Sequence, residues 1–253
     1  GATIDLTTTT NAFTGELLIT TNDNNTPADG TYAAHASIDG GTTNLIIGTS
    51  TIDGNLTLLS GGTITDTASS TVTVKGDLNV TTDANNSNIT LDGLEVGGAY
   101  ILDPHGTGVV TIVNAAGIDF VAMTVDGALS ATATTGNITQ SGALTITGTT
   151  TLITSADNAT ITLNDAGNAF TGKLLITTND TGSETDGDVE IDGGTTNLIL
   201  GASTIDGDLA LRSGGTITDD GIATVRGTLT ATTDASHRVI TLNELAVTGA
   251  LTL

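Results

Sequence analysis

Asn11-Ala12-Phe13-Thr14-Gly15-Glu16-Leu17-Leu18-Ile19-Thr20-Thr21-Asn22-Asp23 returns downstream as Asn168-Ala169-Phe170-Thr171-Gly172-Lys173-Leu174-Leu175-Ile176-Thr177-Thr178-Asn179-Asp180, at an offset of 157 residues. The offset then drifts. Ile38-Asp39-Gly40-Gly41-Thr42-Thr43-Asn44-Leu45-Ile46 matches Ile191 to Ile199 at 153, and Ile89-Thr90-Leu91 matches Ile240 to Leu242 at 151. A duplication this long, tolerant of small insertions and deletions, marks a repeat architecture rather than one closed globule. It defines two internal copies, about 11-97 and 168-249, joined by a bridging repeat region, 98-167. All three belong to a single continuous segment, 1-253.

A shorter period lies inside the long one. Apolar-x-Gly triplets recur at Ile52-Asp53-Gly54, Val74-Lys75-Gly76 and Val96-Gly97-Gly98, then at Val125-Asp126-Gly127 and Ile146-Thr147-Gly148. The second copy carries Ile205-Asp206-Gly207, Val225-Arg226-Gly227 and Val247-Thr248-Gly249. Where the run is unbroken the spacing is 20 to 22 residues, too short for a propeller blade and suited to one turn of a β-solenoid. The 14-residue step from Ile38 to Ile52, repeated from Ile191 to Ile205, reads as a second turn signal inside one coil. Between triplets, stretches such as Asn55-Leu56-Thr57-Leu58 and Asn88-Ile89-Thr90-Leu91 alternate polar and apolar residues. That period of two sends alternate side chains inward and outward. β-Branched residues fill the runs, and Gly, Asn, Asp or Ser end them. No helical periodicity of useful length occurs. The expected fold is all-β: a parallel β-helix (β-solenoid) of about 20–22 residues per coil.

Composition agrees. The chain has 33 Gly and 5 aromatic residues in 253, too few aromatics for a thick core but enough aliphatics for a narrow one. An apolar fraction of 37% with persistent alternation argues against disorder. Phe13 and Phe170 occupy equivalent positions and are expected to be core plugs or stacking residues at a coil corner. The formal charge is −23, and only Lys75, Lys173, Arg212, Arg226 and Arg238 are basic. Phosphate recognition needs clustered cations, so nucleic acid is excluded as a partner. No run of apolar residues is long enough to span a bilayer as a helix, so no membrane insertion is expected. There is no cysteine, hence no disulfide framework. The pattern is cut in mid-repeat at both ends, so flanking repeats of the same polypeptide are expected partners.

Candidate chemistry is sparse. Oxygen-rich turns gather Asp23 with Asp29, and Asp180 with Asp186 and Asp188. Calcium takes six to eight oxygen ligands, which makes these five the metal candidates and calcium the one possible cofactor. The plainer reading is solvated turn residues, and the Gly-Gly-x-Gly-x-Asp calcium repeat is absent. Asp219 and Asp220 resemble an acid pair, but neighbours on a strand face opposite ways. The histidines stand in unrelated contexts. No enzyme is expected, and catalytic residues are assigned to none. Thr-x-Thr ladders of the ice-binding kind occur at differing places in the coil and read as β propensity on a solvated wall. Tyr32 and His35 lie in a segment that the second copy shortens, and Tyr100 and His105 flank Asp103-Pro104. Both segments read as loops leaving the scaffold, and loops on a rigid scaffold carry recognition. These four are the binding-loop candidates.

The phrases Ser203-Thr204-Ile205-Asp206-Gly207-Asp208-Leu209, Ser213-Gly214-Gly215-Thr216-Ile217-Thr218 and Gly136-Asn137-Ile138-Thr139-Gln140-Ser141-Gly142-Ala143-Leu144-Thr145-Ile146-Thr147-Gly148 resemble the repeats of large bacterial exoproteins. These are the filamentous-haemagglutinin-like and autotransporter-type adhesins. The resemblance implies a right-handed parallel β-helix and an extracellular or bacterial outer-surface location. It further implies the role of a structural rod that extends or presents a binding region toward a host or neighbour-cell surface or glycan. The alternative is a filament, sheath or surface layer assembled from copies of itself. A polysaccharide-active β-helix enzyme or an ice-binding solenoid stands further off.

Overall fold

The computed structural model describes residues 1–23, 32–179, 181–182 and 186–253. Every regular element among them is a β-strand and none is a helix. Strands pair in parallel with strands one turn away, and the fold is a β-solenoid. The chain divides into two compact units: residues 1–116 with 125–127, and residues 117–124 with 128–253.

In the first unit one wall stacks Ile4–Leu6, Ala36–Asp39, Leu56–Ser60, Leu78–Thr82 and Ala99–Asp103. Its register superposes Ile4, Ala36, Leu56, Leu78 and Tyr100, one inward side chain per turn. A second wall stacks Leu45–Ile47, Ile64–Asp66, Ile89–Val96 and Val110–Asn114. Ser50–Ile52 and Val72–Val74 continue it over the far half of Ile89–Val96. In the second unit the first wall runs Ile118–Phe120, Ile138–Gln140, Ile161–Leu163, Val189–Asp192, Leu209–Ser213, Leu229–Thr233 and Leu251–Thr252. The opening residues of these strands superpose in register as an aliphatic ladder. The facing wall stacks Leu129–Ala133, Thr150–Thr154, Lys173–Thr177, Leu198–Ile205 and Ile217–Val225. Leu144–Ile146 and Ala169–Phe170 belong to a short third strip.

The alternating sequence is visible as alternating burial. Leu56-Thr57-Leu58 is in-out-in, and so is Leu209-Ala210-Leu211. Burying one Leu or Ile completely contributes about 1.5–3 kcal/mol. The core is one side chain deep on each wall, so aliphatics fill most of it, with Tyr100, Phe120 and Phe170 buried among them. Phe170 is fully buried, whereas its twin Phe13 is half-exposed. Reading turn length from the registers gives 32, 20, 22 and 22 residues in the first unit. The second gives 20, 23, 28, 20, 20 and 22. The 20–22 expectation holds except in three longer turns. The 14-residue step lies inside one turn, since Ile38 belongs to the first wall and Ile52 to the second.

The duplicated sequence builds duplicated polar contacts. Asn11 Nδ2 donates to Leu6 O and Asp39 O, and Asn168 Nδ2 to Leu163 O and Asp192 O. Ser50 and Ser203 each accept from a wall amide of the previous turn, Ile19 N–H and Ile176 N–H. Gly41 and Gly194 adopt left-handed backbone at φ 64° and 58° and donate to Asp39 and Asp192 Oδ1. A Cβ there would run into Asn11 O or Asn168 O, so only glycine fits.

Candidate functional site

In the two copies the apolar-x-Gly triplet marks the corner where the chain enters the first wall, whereas Val125-Asp126-Gly127 and Ile146-Thr147-Gly148 precede strands of the facing wall. At the first-wall corners the residue after the glycine is what the corner uses. Asn55 Oδ1 accepts the Asp77 amide (3.0 Å), and Asp77 Oδ1 accepts the Ala99 amide (2.9 Å). In the second unit Asp188 Oδ1 accepts the Asp208 amide (2.7 Å) and Asp208 Oδ1 the Thr228 amide (2.6 Å). Each acceptor therefore holds the backbone of the equivalent residue one turn on. The glycine is obligatory because the acceptor folds over it. A Cβ on Gly76 would strike Asn55 Oδ1, and one on Gly227 would strike Asp208 Oδ1. His35 occupies the first rung of the first unit, where its Nδ1 accepts the Asn55 amide at 2.9 Å. An Nδ1 that accepts has no proton, so the neutral ring carries its proton on Nε2 and presents it as a donor.

Around that rung the first unit forms a groove of about 850 Å³. It is lined by Tyr32, Ala33, His35, Asn55, Lys75, Gly76, Asp77, Gly97 and Gly98. The Lys75 ammonium stands 5.8 Å from the centre of the Tyr32 ring, within cation–π range. It also reaches Asp53 Oδ1 at 2.6 Å. That contact, with the Asp23 amide donating to Asp53 Oδ2 (2.9 Å), holds the Asp53 carboxyl below its usual range. The same partner pushes Lys75 up. Thr21 completes the hub, its Oγ1 donating to Ala34 O and accepting the Asp53 amide. In the second copy Arg226 Nη1 lies 3.4 Å from Asp206 Oδ1, and Thr178 Oγ1 accepts the Asp206 amide. The scaffold of the corner is thus duplicated, whereas Tyr32 and His35 are not: Asp188 stands where the first copy has His35.

The second unit carries two adjoining depressions of about 400 Å³ each on the outer face of its first wall. Ala210 is their low point, between Glu190 and Thr230 on neighbouring turns. Arg212 lies beside it, its Nε held by both oxygens of Asp234 at 2.8 and 2.9 Å, with Asp192 at 3.7 Å. The guanidinium accordingly has its pKa pushed up by Asp234.

The remaining candidates fall in varied places. Asp23 is buried at the hub, its Oδ2 accepting the Ala33 amide. Asp186 is exposed, and Asp188 is a ladder acceptor. Asp29 and Asp180 lie outside the described residues. Among the described residues no three His, Cys, Asp or Glu side chains come together as a metal site. Tyr32 and His35 both line the groove of the first unit. Tyr100 does not belong to a loop. It lies on the strand Ala99–Asp103, inward over Leu78 and 0% exposed, and burial pushes its hydroxyl pKa up. The outward neighbour Ile101 is apolar and hid the alternation that would have placed Tyr100 inside. His105 is exposed on the following bend, and its amide donates to Thr82 Oγ1. Asp219 and Asp220 part company: Asp219 Oδ2 accepts the Glu244 amide at 2.6 Å, and Asp220 pairs with Lys173 at 2.6 Å. The Asn and Asp ladder was missed in sequence, although its signal, an Asn or Asp directly after the triplet glycine, was present.

No curated protein and no solved structure matches the chain. A family model of repeats of unknown function, DUF5649, matches residues 33–101, 107–177 and 186–253. The middle match covers most of the bridging region, so the solenoid pattern is carried by three successive matches that together span most of the sequence. The chain belongs to the DUF5649 repeat family.

Proposed function

We propose that this chain is a structural rod segment of a large secreted or cell-surface bacterial protein of the adhesin type, whose turns extend or present a binding region carried elsewhere on the polypeptide. The observation that carries this reading is where the polar side chains go. Asn55, Asp77, Asp188 and Asp208 hold the backbone of the next turn, and Lys75, Lys173, Arg212 and Arg226 each pair with an aspartate. Groups that catalysis would converge on one atom are here distributed along the stack, one rung per turn. Such a stack lengthens by adding turns, without a larger core. A charge of −23 keeps an exposed surface of this kind soluble.

The test is in-frame deletion of this segment from the parent protein in its source cells. The expected result is that the protein is still exported, antibody against the remainder still labels intact cells, and adhesion falls because the binding region is carried less far out. Unchanged adhesion, or labelling only after lysis, sinks the reading. Ordered filaments growing with concentration of the purified chain would replace it with a self-assembling surface structure.

A further inference from the structure

We propose that the corner groove of the first unit is a binding site for a neutral saccharide. The argument starts from His35. Its bond to the Asn55 amide does not require a histidine, because Asp188 makes the same bond in the second copy, and Asn55 and Asp77 make it on the next two rungs. What the imidazole adds is an Nε2–H donor and a flat face at the groove. Tyr32 is the second departure from the duplicated scaffold. It places a half-exposed aromatic ring beside the same groove, with Lys75 against it. Tyr32 and His35 are thus the two lining residues that the ladder itself does not call for, and the second copy further replaces Asn55, Lys75 and Asp77 by Asp208, Arg226 and Thr228.

The chemistry of the lining selects the ligand. An aromatic ring offers a surface for the C–H face of a pyranose. His35 Nε2–H and the Lys75 ammonium donate, while the Asp77 carboxylate and the Asn55 amide accept, which suits a ring edged with hydroxyls. Beyond Tyr32 and Ala33 the lining is polar or glycine, so an apolar ligand gains little. An acidic sugar is disfavoured because Lys75 is already neutralised by Asp53 at 2.6 Å, Asp77 faces the groove, and the chain carries −23. The site stands independently of the adhesin reading.

The experiment is saturation-transfer NMR on the whole chain with chitotriose and maltotriose as neutral probes and trigalacturonate as the acidic contrast. At least one neutral probe is expected to bind, and Tyr32→Ala to weaken it at least tenfold. His35→Asn keeps an acceptor for the Asn55 amide, so its unfolding midpoint should match the parent while affinity falls several-fold. Asp188→Asn, on the corresponding rung of the second copy, should leave binding unchanged. The proposal is overturned if neither neutral probe shows transfer, if trigalacturonate binds more tightly, or if Tyr32→Ala and His35→Asn bind as the parent does.

Discussion

Replacing Asn168 by alanine should be among the most damaging single changes in the chain, and the same change at its twin Asn11 should be mild. Asn168 is 2% exposed. Its Oδ1 accepts the Leu144 amide at 2.8 Å, and its Nδ2 donates to Asp192 O at 3.0 Å and Leu163 O at 3.2 Å. It also pairs amide to amide with Gln140, both contacts at 2.9 Å. One side chain thus ties the backbone of three successive turns. Stranding a buried backbone group costs roughly 1–3 kcal/mol. With three groups affected and some water entering the void, we expect a loss of about 3–5 kcal/mol. Asn11 reaches Leu6 O and Asp39 O, accepts the nearby Thr8 hydroxyl and is half-exposed, so water replaces it and the loss should be about 1 kcal/mol. Urea unfolding followed by far-UV circular dichroism gives the two values. Native-state hydrogen exchange should locate the Asn168→Ala loss in the turns holding Leu144, Leu163 and Asp192. Equal losses for the twins, or a loss below about 1 kcal/mol for Asn168→Ala, would refute the idea that buried asparagines lock the turns.

Three further outcomes are expected. Gly227→Ala should cost about 1–3 kcal/mol by pushing the Asp208 side chain off the Thr228 amide; a thermal midpoint unchanged from the parent would contradict the ladder. Asp53 and Asp66 should give opposite pH signatures in differential unfolding against their Asn variants. The Asp53 carboxyl is lowered by Lys75, so its contribution is present above the ordinary aspartate range and disappears as pH falls through its folded pKa. Asp66 is raised by burial despite accepting the Asp92 and Gly93 amides, so its contribution is full at low pH and is lost as pH rises through its folded pKa; parallel profiles would be inconsistent with both assignments. In a Tyr32→Phe variant Tyr100 is the remaining tyrosine, and phenolate absorbance should appear only together with alkaline unfolding, whereas ionisation in a still-folded chain would place Tyr100 at the surface.

The solenoid was legible because it is a one-dimensional code. Period two fixes which side of a strand faces inward, and the triplet spacing fixes where each turn closes, as the Leu56, Leu78 and Leu209, Leu229 ladders show. The code fails where an outward residue is apolar, as Ile101 is beside Tyr100, because hydropathy alone cannot distinguish the two faces. The meeting of Tyr32 and His35 was legible as a shared irregular segment. Lys75 and Asp77 were not, since they are 40 or more residues away in sequence and arrive through the stacking of turns. The corner ladder needs the register between turns, which appears only once the strands are paired.

The long turns have a consequence for how this chain can vary. Thr20 pairs with Thr51 and Ala36 with Leu56, so the stretch that closes the 32-residue turn is 11 residues longer than its neighbour's. In the second unit Thr177 pairs with Thr204 and Val189 with Leu209, and the same place absorbs 7 extra residues. Registers on both sides are kept in each case. This corner is therefore a splice point, where length polymorphism is invisible to the ladders above and below. Grafted peptides inserted there would be displayed without retuning the scaffold. The same freedom would let one copy take on a binding corner such as the one proposed around Tyr32 and His35 while its sister keeps the ladder alone.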